Sequence, residues 1–321
     1  MDSVELCAGA GGQALGLEQA GFHHRALVET DDSCRATLRL NRPHWNVTEG
    51  AEADVATFDA RPYRGVDIVA GGLPCPPFSV AGKQLGMRDE RNLFPDALRI
   101  IDEARPRAIL IENVRGFLDA VFSDYRQQLR HDLRAMGYDV DWRLFNASDF
   151  GVPQLRPRVM IVAIRSDWRD HFHWPDPLAR RPQTVGETLV DLMGANGWQG
   201  ARLWAQRADE IAPTVVGGSK KHGGPDLGPT RARAAWATLG VDGKGVADAA
   251  PPADFVGMPR LTVRMVARLQ GFPDSWLIHG KKTAAYRQVG NAFPSPVARA
   301  VGERLFAALA TRRIHPVAVN G

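Results

Sequence analysis

From residue 1 to 165, short apolar runs alternate with stretches whose apolar residues recur at helical spacing. Ser3–Ala8 reads as a strand running into a glycine turn, with a helix near Gln13–Ala20. Ala26–Glu29 is a second strand, and Ser33–Asn41 a helix. Val66–Ala70 is a buried strand, followed by a Gly/Pro-rich loop from Gly71 to about Arg91. Pro95–Ala104 is a helix, and Ala108–Ile111 a strand that ends at Glu112-Asn113. Asp124–Met136 is a helix, and Asp139–Asn146 and Val159–Ile164 are a pair of strands closing the sheet. Strands alternating with helices predict a doubly wound, Rossmann-like α/β sheet. Ligands of such sheets lie beyond the carboxyl ends of the strands, so the residues that end strands are the candidates for chemistry.

The texture changes after about residue 183. Periodicity weakens, and glycine and proline accumulate between Gly194 and Pro259, as in VVGGSKKHGGPDLGPTRAR. This region reads as loops on a small scaffold, without a second rich core. A helix resumes at Thr262–Leu269 with Thr262 as N-cap, and another covers Ser295–Ala310. A boundary is expected near residue 183, with a loop-rich unit after it.

Composition narrows the class. With 44% hydrophobic and 24% charged residues among 321, and no apolar run near membrane-span length, a cytoplasmic globular protein is expected. The three cysteines, Cys7, Cys34 and Cys75, lack CxxC spacing, which argues against a disulfide framework or a zinc site; no metal is expected. The net charge of +4 favours a polyanionic partner only weakly.

Two clusters carry candidate chemistry. In the first, Cys7, Ala8, Gly9, Gly11 and Gly12 form a strand-to-helix turn where backbone amides can approach a ligand. The spacing is not the dinucleotide GxGxxG, so S-adenosylmethionine is favoured over a nicotinamide cofactor. Glu29, ending the second strand, can accept from ribose hydroxyls, and Asp54, beside Val55, from an adenine amine. In the second cluster, Gly71-Gly72-Leu73-Pro74-Cys75-Pro76-Pro77-Phe78-Ser79 follows a buried strand. That sets Cys75 at the carboxyl edge of the sheet, where Glu112-Asn113-Val114 also ends. Gln154-Leu155-Arg156-Pro157-Arg158 opens a later strand and puts Arg156 and Arg158 on one face by its period of two.

These segments, with the late Val289-Gly290-Asn291-Ala292, resemble the bacterial cytosine-5 DNA methyltransferases. The glycine turn, PCPPFS, ENV, QLRPR and QVGNA stand in that family's order, across residues 1 to 165 and 260 to 310. The resemblance implies that the Cys75 thiolate adds to carbon 6 of a flipped cytosine and makes carbon 5 nucleophilic. Glu112 would hold N3 and the exocyclic amine, a role that suits a carboxyl kept protonated by burial. Arg158 would orient the base and Cys75, with Arg156 close by. Cys7, Ala8, Gly9, Gly11, Gly12, Glu29, Asp54, Val55, Pro74, Leu93, Asn291 and Ala292 would hold the cofactor.

The loop Gly82–Asn92 resembles the family's mobile active-site loop, and Ser79, Lys83, Gln84 and Arg91 would touch DNA. The resemblance implies a catalytic and cofactor-binding domain of residues 1–183 completed by 286–321, whose last segment packs back beside the first strand and helix, and a target-recognition domain of residues 184–285. There Lys220 and Lys221 would hold phosphates, and Arg231 or Arg233 would read guanine. The segment RLQGFPDSW would organise that domain. Two departures stand out: the family often has Phe where this chain has Cys7, and Phe-Ser where it has Gln13-Ala14. The expected partners are double-stranded DNA and a restriction endonuclease of the same site, for a monomeric enzyme acting on DNA in the cytoplasm, at the nucleoid. A transfer-RNA cytosine-5 methyltransferase and a catalytically silent DNA-binding relative remain open alternatives.

Overall fold

The computed structural model describes residues 1–73, 92–218 and 224–311. Its six strands are β1 (Asp2–Leu6), β2 (His23–Val28), β3 (Ile68–Gly72), β4 (Ala108–Val114), β5 (Tyr138–Asn146) and β6 (Pro157–Arg165). They form one sheet in the order β2-β1-β3-β4-β6-β5. The first four are parallel, and β6 runs antiparallel between β4 and β5. The doubly wound expectation therefore holds, with the reversal at β6 as its main consequence for the site. Because β6 is reversed, its beginning reaches the edge where β1 to β4 end: Arg158 stands opposite Val114, and Gly72 opposite Glu112. Parallel β1 and β3 are buried nearly throughout, as apolar strands covered on both faces must be.

Four helices connect this half: α1 (Gly12–Gln19), α2 (Asp32–Asn41), α3 (Phe94–Ala104) and α4 (Ser123–Ala135). Asp31 caps α2 by accepting from the Ser33 and Cys34 amides. The chain continues with α5 (Val185–Met193), α6 (Ala201–Arg207), α7 (Thr230–Thr238), α8 (Val263–Leu269), α9 (Lys282–Asn291) and α10 (Ser295–Ala310). The last of these returns to lie on α1, as the resemblance implied. Gly16 of α1 admits the Ser295 carbonyl, and Phe22 meets the Phe306 ring edge-on at 5.6 Å. No described helix is long and apolar enough to cross a membrane.

The expectation of a core-poor region after residue 183 is corrected. Trp198, Trp204, Trp236 and Trp276 are buried in one cluster with Leu189, Met193, Leu239 and Leu261. The same cluster takes in Ala10, Leu15 and Leu38 of the amino-terminal part. Widely spaced tryptophans give no helical or strand period, yet each buries a large apolar surface. The signal for α5 was present: Thr184-Val185-Gly186-Glu187 is a capping box, with Thr184 Oγ1 accepting from the Glu187 amide at 3.2 Å and Glu187 accepting from Thr184 N–H at 2.9 Å.

Candidate active site

The strand-to-helix turn after β1 is built by backbone geometry that few residues tolerate. Cys7, Gly9 and Gly11 have positive φ, and Gly11 is the left-handed N-cap of α1. A Cβ on Gly12 would stand 2.0 Å from the Phe293 carbonyl oxygen, so only glycine lets the returning chain close over α1. Gly12→Ala is expected to cost about 3 kcal/mol by overpacking. Chemical denaturation checks this, and an unchanged midpoint would contradict it.

Glu29 ties the turn to β2. Its carboxylate accepts from the Gly9 amide at 2.7 Å and from the Asp31 amide at 2.7 Å. Burial raises its pKa, while those two backbone donors oppose the rise. Trp276 holds the turn from the other side, its indole N–H donating to the Ala10 carbonyl at 3.0 Å. The RLQGFPDSW segment thus braces the glycine turn and also packs into the 184–285 region, where Arg268 donates to the Thr188 carbonyl of α5 at 2.9 Å. Gly11 differs from its expected part as well: it packs against Leu38 and Trp276 and does not line the cavity described next.

That cavity, of about 800 Å³, opens at the carboxyl edge of the sheet. Cys7, Ala8, Gly9, Gly12, Glu29 and Asp54 line one side, and Val55, Leu93, Asn291 and Ala292 also contribute. Its volume suits a nucleoside-sized ligand. Burial is the main cause that pushes the Cys7 thiol far up, and the charges of Glu29, Asp54 and Glu5 push it further. Cys7 is therefore a thiol and no nucleophile, in surroundings that favour a cationic ligand.

Sequence reasoning missed several lining residues. Thr214, Val215, Val216 and Gly218 come from the supposed DNA-reading region, and Arg287 and Gln288 from α9. Asn291 donates to the Gly218 carbonyl at 3.0 Å, so α9 and this segment close the cavity together. A pairing of Gly217 with Gly290 permits the approach: a Cβ on Gly290 would meet the Gly217 Cα at 2.5 Å. Two glycines 73 positions apart carry no local sequence signal.

Glu112 and Arg158 also line this cavity, with Arg158 Nε 2.7 Å from Glu112 Oε1 and each side chain 14% exposed. Glu112 leans over Gly72, where a Cβ would stand 3.5 Å from Glu112 Oε2. This carboxyl, for which burial was the expected influence, is paired with the Arg158 guanidinium. Pro74, Cys75, Ser79, Lys83, Gln84, Arg91, Lys220 and Lys221 lie outside the described residues.

Arg156 departs from its expected place beside the base. It directly precedes β6, is 2% exposed, and turns its terminal nitrogens to backbone carbonyls. Nη1 donates to the Val215 carbonyl at 2.8 Å, and Nη2 to the Gly290 and Ala292 carbonyls at 3.1 Å each. The last two oxygens belong to the end of α9, the negative pole of its dipole, which suits a cation. Gln154 and Gln270 extend the network: Gln154 donates to Gln270 Oε1 at 2.7 Å and accepts from the Val215 amide at 2.9 Å. Gln270 donates to the Val289 carbonyl at 2.7 Å.

Arg231 and Arg233 are also relocated. They lie in α7, where glycine-rich loops were expected; Arg231 is exposed, while Arg233 is half-buried against Gly243.

Comparison with known proteins agrees with this geometry. The model of the C-5 cytosine-specific DNA methylase family matches residues 1–307. The type II methyltransferase M.NaeI of Lentzea aerocolonigenes is 56% identical over 96% of this chain and 75% of its own. M.NgoMIV of Neisseria gonorrhoeae is 53% identical over 96% of this chain and 97% of its own. A solved DNMT2 variant from Spodoptera frugiperda shares the fold, with a TM-score of 0.63 at 18% identity, over 95% of this chain and 99% of that one. The chain belongs to the C-5 cytosine-specific DNA methylase family and is a DNA (cytosine-5-)-methyltransferase.

Proposed function

We propose that this enzyme methylates carbon 5 of a cytosine flipped out of a specific duplex sequence, with Cys75 as nucleophile and S-adenosylmethionine as donor. The observation that carries the reading is the Glu112–Arg158 pair, set at the strand ends next to an acid-lined cavity. The donor fits the residues present: Glu29 retains acceptor capacity for ribose hydroxyls beyond its two backbone bonds, and the acidic lining suits a positive charge. Cys7, Ala8, Gly9, Gly12, Asp54, Val55, Leu93, Asn291 and Ala292 complete the holder, and the resemblance gives Pro74 the same role. When bound, S-adenosylmethionine supplies an electrophilic methyl group.

The protein's own residues do the rest. The Cys75 thiolate adds to carbon 6, and electron density moves to carbon 5 and N3. Glu112 receives the exocyclic amine and delivers a proton at N3, while Arg158 holds the Glu112 carboxyl in place. After transfer a base, with water as the candidate, takes the carbon 5 proton, the double bond between carbons 5 and 6 re-forms, the Cys75 thiolate leaves and the N3 proton returns to Glu112. Arg156 acts as a positioning residue, through the carbonyls it clamps. Ser79, Lys83, Gln84 and Arg91 would close on DNA, with Lys220 and Lys221 on phosphates. Arg231, exposed in the first turn of α7, is the better placed of the two candidate guanine readers.

The identity with two type II methyltransferases supports a place in a restriction–modification system, opposite an endonuclease of the same specificity. Such an enzyme works as a monomer on one base at a time, in the cytoplasm and on the nucleoid. Expression in a host without cytosine-5 methylation, followed by bisulfite sequencing, tests the reading. Protection at one short motif is the expected result; soluble protein with an unmethylated genome would refute it.

A further inference from the structure

Two walls of the large cavity are joined by side chains at two depths. The turn between β2 and α2 supplies Glu29, Thr30 and Asp31, and α9 supplies Arg287, Gln288 and Asn291. The inner join is buried. Gln288 is 5% exposed, accepts from Thr37 Oγ1 of α2 at 2.6 Å, and donates to the His279 carbonyl at 2.7 Å. The outer join is an ion pair, with Arg287 Nη2 3.5 Å from Asp31 Oδ2. Thr30, next to Asp31, and Asn291, one helical turn beyond Arg287, are both exposed, so this pair stands at the rim. It spans the mouth of the cavity, from the wall that carries Glu29 to the wall formed by α9.

The two partners differ in freedom. Asp31 is fixed: its Oδ1 caps α2 by accepting from the Ser33 and Cys34 amides at 2.9 and 3.3 Å, and its own amide donates to Glu29. Arg287 is held through its backbone, since a Cβ on Gly217 would stand 2.6 Å from the Arg287 carbonyl oxygen. Among the described residues its guanidinium makes no second ion pair, and its side chain is 22% exposed. A side chain in reach of water changes rotamer far faster than packed helices part. An ion pair in reach of water also holds weakly. Breaking the outer contact leaves the buried Gln288–Thr37 bond in place, and with it the seam between α2 and α9.

We propose that the Arg287–Asp31 pair is a strap across the mouth of the cofactor cavity, which swings aside when the cofactor enters or its product leaves. The strap bars passage equally in both directions. It therefore sets the rate of exchange and leaves the affinity nearly unaltered. The inference rests on the S-adenosylmethionine reading.

The test is a chase of labelled S-adenosylhomocysteine from the full chain by excess unlabelled compound, with the affinity measured by calorimetry on the same preparation. Arg287→Met keeps the apolar stem and removes one charge. Asp31→Asn removes the other and keeps an oxygen for the cap of α2. In each variant the dissociation rate should rise about two- to fivefold, as loss of a weak pair allows. The association rate, obtained from dissociation rate and affinity, should rise by the same factor. Raising salt from about 0.05 to 0.5 M should speed dissociation from the wild type and not from Arg287→Met, because screening acts on the pair and the ligand carries no net charge near neutrality. Arg287→Lys should restore slow exchange in part. An unchanged dissociation rate in Arg287→Met would overturn the proposal. So would faster dissociation matched by an equal loss of affinity, which would make Arg287 a direct contact of the ligand. If S-adenosylhomocysteine does not bind the wild type, the cofactor reading fails and takes the strap with it.

Discussion

Cys75→Ser is expected to abolish methyl transfer while S-adenosylhomocysteine and DNA bind within a few-fold of wild type. Carbon 5 of cytosine does not take a methyl group unaided, so the covalent bond at carbon 6 is the activating event. A thiol near pKa 8.5 is partly ionised at neutral pH, whereas a serine hydroxyl is not, and the loss should be on the order of 10⁴-fold or more. The surrounding parts are framed independently of the nucleophile. Gly72 ends β3 opposite Glu112, and Arg158 pairs with Glu112 across β4 and β6. Removing one sulfur atom leaves that frame intact, which is why binding and chemistry should separate. The check is transfer of labelled methyl to DNA beside calorimetric titration of the same preparation. A serine variant that keeps full activity would eliminate the covalent route.

Arg156→Met should have the largest effect on stability. Methionine fills much of the same volume but offers no donor to the carbonyls of Val215, Gly290 and Ala292. Each carbonyl left unpaired in a buried setting costs about 1–3 kcal/mol, so a loss of roughly 3–5 kcal/mol is expected after partial relaxation. The affinity for the cofactor should fall by more than unfolding explains, because those carbonyls belong to segments that line the cofactor cavity. Urea denaturation gives the first quantity. Titration of S-adenosylhomocysteine at a temperature where the variant is folded gives the second. A variant as stable as wild type with an unaltered affinity would show that the clamp is dispensable.

Much of this molecule is legible in its sequence, because much of it is locally determined. The alternation of apolar runs and amphipathic stretches predicts every strand and the helices of the first 165 residues. The glycine turn is visible in residues 7 to 12, since positive φ selects glycine one position at a time. Glu29 and Glu112 stand at strand ends, where a parallel sheet gathers its ligands. Thr262 caps α8 as expected, accepting from the Met265 amide. In each case the cause lies within a few residues.

Other features depend on segments far apart in the chain. That Arg156 is a clamp, while Arg158 two residues later faces Glu112, follows from where residues 215, 290 and 292 return. Trp276 braces Ala10 across 266 positions, so RLQGFPDSW serves the glycine turn. The tryptophan core beyond residue 183 has no period to detect, and the helix carrying Arg231 and Arg233 sits amid residues that read as loop. Period, capping and backbone strain are local and can be read along the chain. Hydrogen-bond satisfaction and close packing are properties of the folded whole, because the partner that supplies or withholds a donor is chosen by the tertiary structure.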